Sequence, residues 1–128
     1  MDIIEIIRQD YARFPQEPTY SIYAENVYFQ DPMTKFRGIK KYTQMINFMA
    51  KWFLDIKLEL HHISRENNAI ATTWTLNWTT PLPWKPRITI TGRSELLLNS
   101  EQLIISHIDY WENSRLDVAK QHLFQLKR

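Results

Sequence analysis

The stretch Ile88–Glu112, ITITGRSELLLNSEQLIISHIDYWE, constrains the fold more than any other part of the chain. It holds two runs of strand-forming residues joined around Asn99-Ser100, a turn-forming pair. In the second run, period-2 alternation puts Leu103, Ile105, His107, Asp109 and Trp111 on one face. A histidine, a carboxylate and a tryptophan beside two aliphatics suit the floor of a pocket better than a plain core. Ile104, Ile108 and Tyr110 fall on the opposite face. A sheet apolar on both sides needs two covers, and helices supply one. The pattern therefore predicts a homodimer through the sheet.

The remaining elements follow from local signals. Asp2 is placed to cap a first helix, with Glu5 as capping-box partner and Ile3, Ile4, Ile7, Tyr11 and Phe14 as its apolar stripe. Pro15 and Pro18 end it. A short helical turn over Tyr20–Glu25 and a brief strand Val27–Phe29 come next, and Asp31-Pro32 opens a loop to Gly38. Helix follows from Ile39 to Phe53, with an apolar face wide enough to meet a sheet and a cavity wall. In DIKLELHH, Ile56, Leu58, Leu60 and His62 face one way. After the turn Asn67-Asn68, Ile70, Trp74, Leu76 and Trp78 share a face of the next strand. PLPWKP reads as a rigid loop at a sheet edge, where Leu82 and Trp84 serve either as a docking edge or as a folded-back cover. Asn113 or Ser114 caps a last helix carrying Leu116, Ala119 and Leu123. The order predicts one α+β domain over residues 1–128: helices packed on a curved antiparallel sheet.

Composition excludes several classes. Sixteen basic against fourteen acidic side chains give a net charge of +2, with no nucleic-acid motif, so neither nucleic acid nor a membrane is expected as a partner. Without cysteine there are no disulfides or thiolate metal sites. MDIIEIIRQD reads as neither signal nor transit peptide, and no apolar run spans a membrane, so a cytoplasmic protein is expected. The two glycines, Gly38 and Gly92, mark a tight turn before a helix and a bend inside a strand.

The helical opening, the turn Phe29-Gln30-Asp31-Pro32, Gly38 before an aromatic helix, and the strand SHIDYWE together resemble the nuclear transport factor two-like (SnoaL-like) cone. FQDP, GRSELLL and HIDYWE more closely resemble an uncharacterised SnoaL-like family of cyanobacterial and plastid proteins. That resemblance implies a cone-shaped sheet and no particular activity. By similarity to ketosteroid isomerases of this fold, Asp31 matches the general base and Tyr11 the oxyanion donor. Ser94 stands where those enzymes carry a protonated aspartate. Limonene-epoxide-hydrolase-like members end in a strand matching Asp109-Tyr110, but their arginine and aspartate on a middle strand have no counterpart in ATTWTLNW.

Each candidate has a second reading. Asp31 is either a general base or a turn residue capping amides. His107 and Asp109 are either a reactive pair or a buried hydrogen-bonded pair that fixes the strand. A metal would need a third ligand, for which His62 is the one candidate, and no metal or cofactor is proposed. Tyr42, Trp74, Trp78 and Trp111, with His62 and Ser94, form an aromatic box for a flat apolar ligand, or simply the core. Three classes remain: a binder of a small apolar ligand, an isomerase, dehydratase or hydrolase using Asp31 or Asp109 as base, and a non-catalytic dimerising scaffold. The first is the reading adopted.

Overall fold

A computed structural model describes residues 2–124. Helix α1 spans Ile3–Ala12, a single 3-10 turn covers Tyr20–Ile22, and strands β1 (Tyr23–Gln30) and β2 (Lys35–Arg37) follow. Helix α2 (Ile39–Trp52) leads to β3 (Leu54–Glu66), β4 (Ala69–Thr79), β5 (Arg87–Leu98) and β6 (Ile104–Trp111), and α3 spans Arg115–Phe124. The six strands form one sheet in the order β2-β1-β6-β5-β4-β3. The expected α+β architecture with a curved sheet is what the chain forms. One pair departs from the expectation: β1 runs parallel to β6, so the sheet is mixed rather than wholly antiparallel. The early strand is also longer than Val27–Phe29, and β2 occupies part of the expected loop.

Turn chemistry explains the long hairpins. Asn67, at φ 55°, closes β3 onto β4 in the left-handed conformation that asparagine tolerates. Between β5 and β6, Asn99 Oδ1 accepts from the amides of Glu101 (2.9 Å) and Leu103 (3.0 Å). Gly38, at φ 114°, turns the chain into α2, and its amide donates to the Val27 carbonyl at 2.8 Å.

Two bulges change which residues face inward. Between Leu60 and His62 the β3–β4 register slips. Ile63 is buried as a result, and His62 is exposed. A one-residue slip exchanges the faces of a strand, so His62 does not share the inner face with Leu60. The second slip separates Leu97↔Ser106 from Leu98↔Ile104. Ile105 is the extra residue, and Ile104 turns inward to become fully buried. Thus Ile104 joins the core on the His107 side, not the opposite face that its parity predicts.

The helices also differ in detail. Asp2 makes no side-chain capping bond to α1, and Glu5 instead lies 3.9 Å from Arg8. In α3, Ser114 Oγ caps the amide of Asp117 at 3.0 Å. Leu116, Ala119 and Leu123 are exposed; Val118 packs inward instead. Polar bonds dock the helix: Gln121 brackets Thr89, accepting from its amide (2.7 Å) and donating to its carbonyl (2.9 Å). Gln121 thereby pairs the backbone of β5 beyond the end of β6. The PLPWKP loop folds back rather than lying free, with Trp84 Nε1 donating to the His122 carbonyl at 2.7 Å.

The core divides along the sheet. Near the two hairpin turns it is aliphatic, with Ile7, Ile63, Ile70, Leu96, Leu98 and Ile104 beneath α1. Towards the other end it becomes aromatic, around Trp74 and Trp78 on β4 and around Phe29 and Tyr42 on β1 and α2.

Candidate functional site

Between the two aromatic groups lies a cavity of about 470 Å³. Flat rings stack among themselves and leave space that branched aliphatics would fill. Phe53 and Trp78 stack at 4.8 Å with planes 5° apart. Tyr42 meets Tyr23 at 5.0 Å, Phe29 at 5.7 Å and His107 at 5.9 Å.

Every candidate residue except His62 lines this cavity: Tyr11, Asp31, Tyr42, Trp74, Trp78, Ser94, His107, Asp109 and Trp111. Alternation on β4, β5 and β6 explains the convergence. Register pairs Trp74 with Gly92, Ser94 with Asp109 and Gly92 with Trp111 across neighbouring strands. Same-face residues on adjacent strands are within reach of one another.

A hydrogen-bond chain runs through these residues. Trp74 Nε1 donates to Ser94 Oγ at 2.8 Å, and Ser94 Oγ donates to Asp109 Oδ1 at 2.5 Å. The same oxygen lies 2.8 Å from His107 Nε2. A carboxylate only accepts, so Nε2 carries a proton. Among the described residues His107 Nδ1 is buried without a hydrogen-bond partner, in a ring packed 5.1 Å from that of Phe29.

Tyr11 Oη is 3.1 Å from Thr72 Oγ1. Burial pushes its phenol up to about 12; the Asp109 charge adds to this, and bonds to Thr72 and Ser94 oppose it. Tyr11 therefore stays a neutral phenol, able to donate to an oxygen in the cavity. Tyr23 and Tyr42, 3.3 Å apart at their hydroxyls, are also raised, chiefly by burial. Thr72, 1% exposed, joins the site without a chemical motif to mark it; its parity with Trp74 on β4 is the signal the sequence carries.

Asp31 makes the bonds of its turn reading. Its Oδ1 accepts from the amides of Met33 and Thr34, each at 2.8 Å, as a turn residue does. Yet its carboxyl is raised above the usual aspartate range. Desolvation is the main cause and the Asp109 charge adds to it, while the two amides and His107 pull the other way. His62, exposed beyond the bulge, stands apart from the group.

Residues 1–107 match the family described as Uncharacterized conserved protein (DUF2358). The chain belongs to that family. The match ends at His107, so Asp109, Trp111 and α3 lie past it. The sequence matches no curated protein. Solved structures place the family member in the nuclear transport factor two-like, SnoaL-like fold. A hypothetical protein with a ketosteroid isomerase-like fold from Catenulispora acidiphila, solved with trimethylamine, superposes with a TM-score of 0.74. It is 11% identical, over 94% of this chain and 91% of that one. A Mycobacterium tuberculosis LEH-like epoxide hydrolase gives 0.72 at 14% identity, over 97% and 89%. A SnoaL-like polyketide cyclase, so named provisionally, from Shewanella putrefaciens gives 0.71 at 15% identity, over 95% and 97%. At these identities the likeness is one of fold.

Proposed function

We propose that this DUF2358 member binds a small, flat, largely apolar molecule in its aromatic cavity. The observation that carries this reading is the cavity itself: about 470 Å³, walled by Phe14, Phe29, Tyr42, Phe53 and three tryptophans. A volume of this size suits a ring-containing ligand. Polar groups gather at one end, where Tyr11, Ser94, His107 and Asp109 converge. Ser94 and Asp109 are already engaged with one another. The Tyr11 hydroxyl, 3.1 Å from Thr72 Oγ1, is then the group available to donate to a ligand oxygen.

Because Trp74, Trp78 and Trp111 line the cavity, a naphthol probe titrated into the protein is expected to quench their emission. Leu76→Trp, which fills the cavity from β4, is expected to abolish the quenching while the protein still melts cooperatively. Tyr11→Phe is expected to weaken binding about tenfold, the worth of one hydrogen bond to ligand. Equal quenching in the filled variant would place the probe elsewhere and defeat the reading.

A second reading, proton transfer with Asp31 as base, is favoured by one observation. Asp31, His107 and Asp109 line the same cavity, and the Asp31 carboxyl is raised. A desolvated carboxylate is a stronger base than a solvated one. Ser94 in place of a carboxylic acid leaves only hydroxyls to support an oxyanion. Asp31→Asn tests this reading with two measurements. Its Oδ1 still accepts the Met33 and Thr34 amides, so the turn survives. An unfolded aspartate ionises near 4, and the native carboxyl ionises higher. Well below about 4 both states are protonated, and the stability difference between variant and wild type does not change with pH. As pH rises through the native pKa, the wild type alone takes on a desolvated charge and loses stability relative to the variant. Exchange of the acidic C–H protons of a bound cyclic ketone, followed by NMR in deuterated water, is expected to stop in the variant. Exchange that persists in Asp31→Asn would exclude Asp31 as the base.

A further inference from the structure

We propose that the outer side of α2, beside the cavity mouth, docks on an anionic lipid surface. Residues that line the cavity and also face solvent mark its mouth. Met33 is 65% exposed and Phe48 is 56% exposed, and both line the cavity. One turn beyond Phe48 on α2, Trp52 is 50% exposed. Large apolar side chains held in water at a pocket entrance mark a contact surface.

Along the chain between Asp31 and Asp55 the charge has one sign, although Asp10 and Asp31 line the cavity itself. No Asp or Glu stands between Asp31 and Asp55, while Lys35, Arg37, Lys40, Lys41 and Lys51 do. At about 100° per residue, Lys41, Gln44, Phe48, Lys51 and Trp52 fall within one stripe of α2, and all five are exposed. The ammonium of Lys51 lies 5.5 Å from the Trp52 ring. Lysines beside a tryptophan and a phenylalanine on one helix face are what an interfacial helix presents to a bilayer. The rings enter the headgroup boundary and the ammonium groups meet the lipid phosphates. A polyanion such as RNA would satisfy the lysines but leave Phe48 and Met33 in water. No described helix is long and apolar enough to cross a membrane, so the contact is one of lying on the surface. The net charge of +2 conceals this arrangement because all fourteen acidic residues lie outside positions 32–54.

The proposal stands on the surface and not on what fills the cavity, so vesicle binding and probe binding succeed or fail separately. The full chain is sedimented with phosphatidylcholine vesicles and with vesicles that also contain phosphatidylglycerol. Sedimentation with the anionic vesicles alone is expected, falling as salt shortens the screening length to about 10 Å or less. Replacing Lys40, Lys41 and Lys51 by Gln is expected to lower the vesicle partition at least about tenfold. Trp52→Ser, a change at an exposed position, is expected to lower it several-fold without changing the melting temperature. Either of two results overturns the proposal: no sedimentation with anionic vesicles at low salt, or retention on heparin that the lysine variant loses while Trp52→Ser and vesicles have no effect. The second would assign the surface to a polyanion.

Discussion

Gly92→Ala is expected to lower the melting temperature by about 10 °C, corresponding to roughly 3 kcal/mol for a domain of this size. Strand propensity alone predicts the opposite sign, since alanine in place of a strand glycine stabilises by about 0.5–1 kcal/mol. Packing decides the matter. A Cβ at position 92 would stand 2.4 Å from the Tyr110 carbonyl oxygen and 2.9 Å from Cη2 of Trp74. The first contact is with backbone in a paired strand and cannot be relieved by a rotamer change. The second displaces an indole whose Nε1 donates to Ser94. Strain at Gly92 therefore reaches the Ser94–Asp109–His107 chain, and probe affinity is expected to fall with stability. Calorimetry on the single variant checks the prediction; a melting temperature unchanged or raised would mean that β6 shifts freely.

Asp109→Ala is expected to cost about 3 kcal/mol, and Asp109→Asn about 1 kcal/mol. One carboxylate oxygen serves both the Ser94 hydroxyl at 2.5 Å and His107 Nε2 at 2.8 Å. Ser94 is 2% exposed and His107 7% exposed, so both lose an acceptor at a buried position. His107 Nδ1 already lacks a hydrogen-bond partner among the described residues, so alanine would strand the whole imidazole. Asparagine keeps an acceptor oxygen at the same place and restores both bonds without the charge. Denaturant unfolding of the two variants measures the order. Equal loss in both would assign the effect to the charge; negligible loss in both would mean that the bonds hold the geometry of the site without stabilising the fold.

Much of the site was legible because it lies on strands, where parity assigns faces without knowledge of neighbours. Trp74 and Trp78 on β4, Ser94 on β5, and His107, Asp109 and Trp111 on β6 all follow from period-2 alternation or from likeness to a family whose strands obey it. Parity failed where a bulge intervened. His62 and Ile104 each sit beyond an extra residue, and nothing local in LELHHIS or LIISH marks which residue is extra. Bulges are set by how two strands fit, and that is a property of the pair. The stripe on α3 failed for a related reason. A helical period alone does not say which face β5 meets, and the bonds from Gln121 and His122 decide it.

The sequence by itself determined the order of elements, the turns at Asn67, Asn99 and Gly38, and the alternating faces, because these depend on neighbours a few residues apart. It also carried the absence of acids between Asp31 and Asp55. Only the tertiary structure decided that β1 runs parallel beside β6, that Asp31 faces the same cavity as Asp109, and that Gly92 lies under the Trp74 ring. It alone showed that the apolar rim and the lysines of α2 adjoin one cavity mouth. Those facts depend on contacts between residues tens of positions apart, and their energies exist only once the sheet has curved and closed around the space between its aromatic side chains.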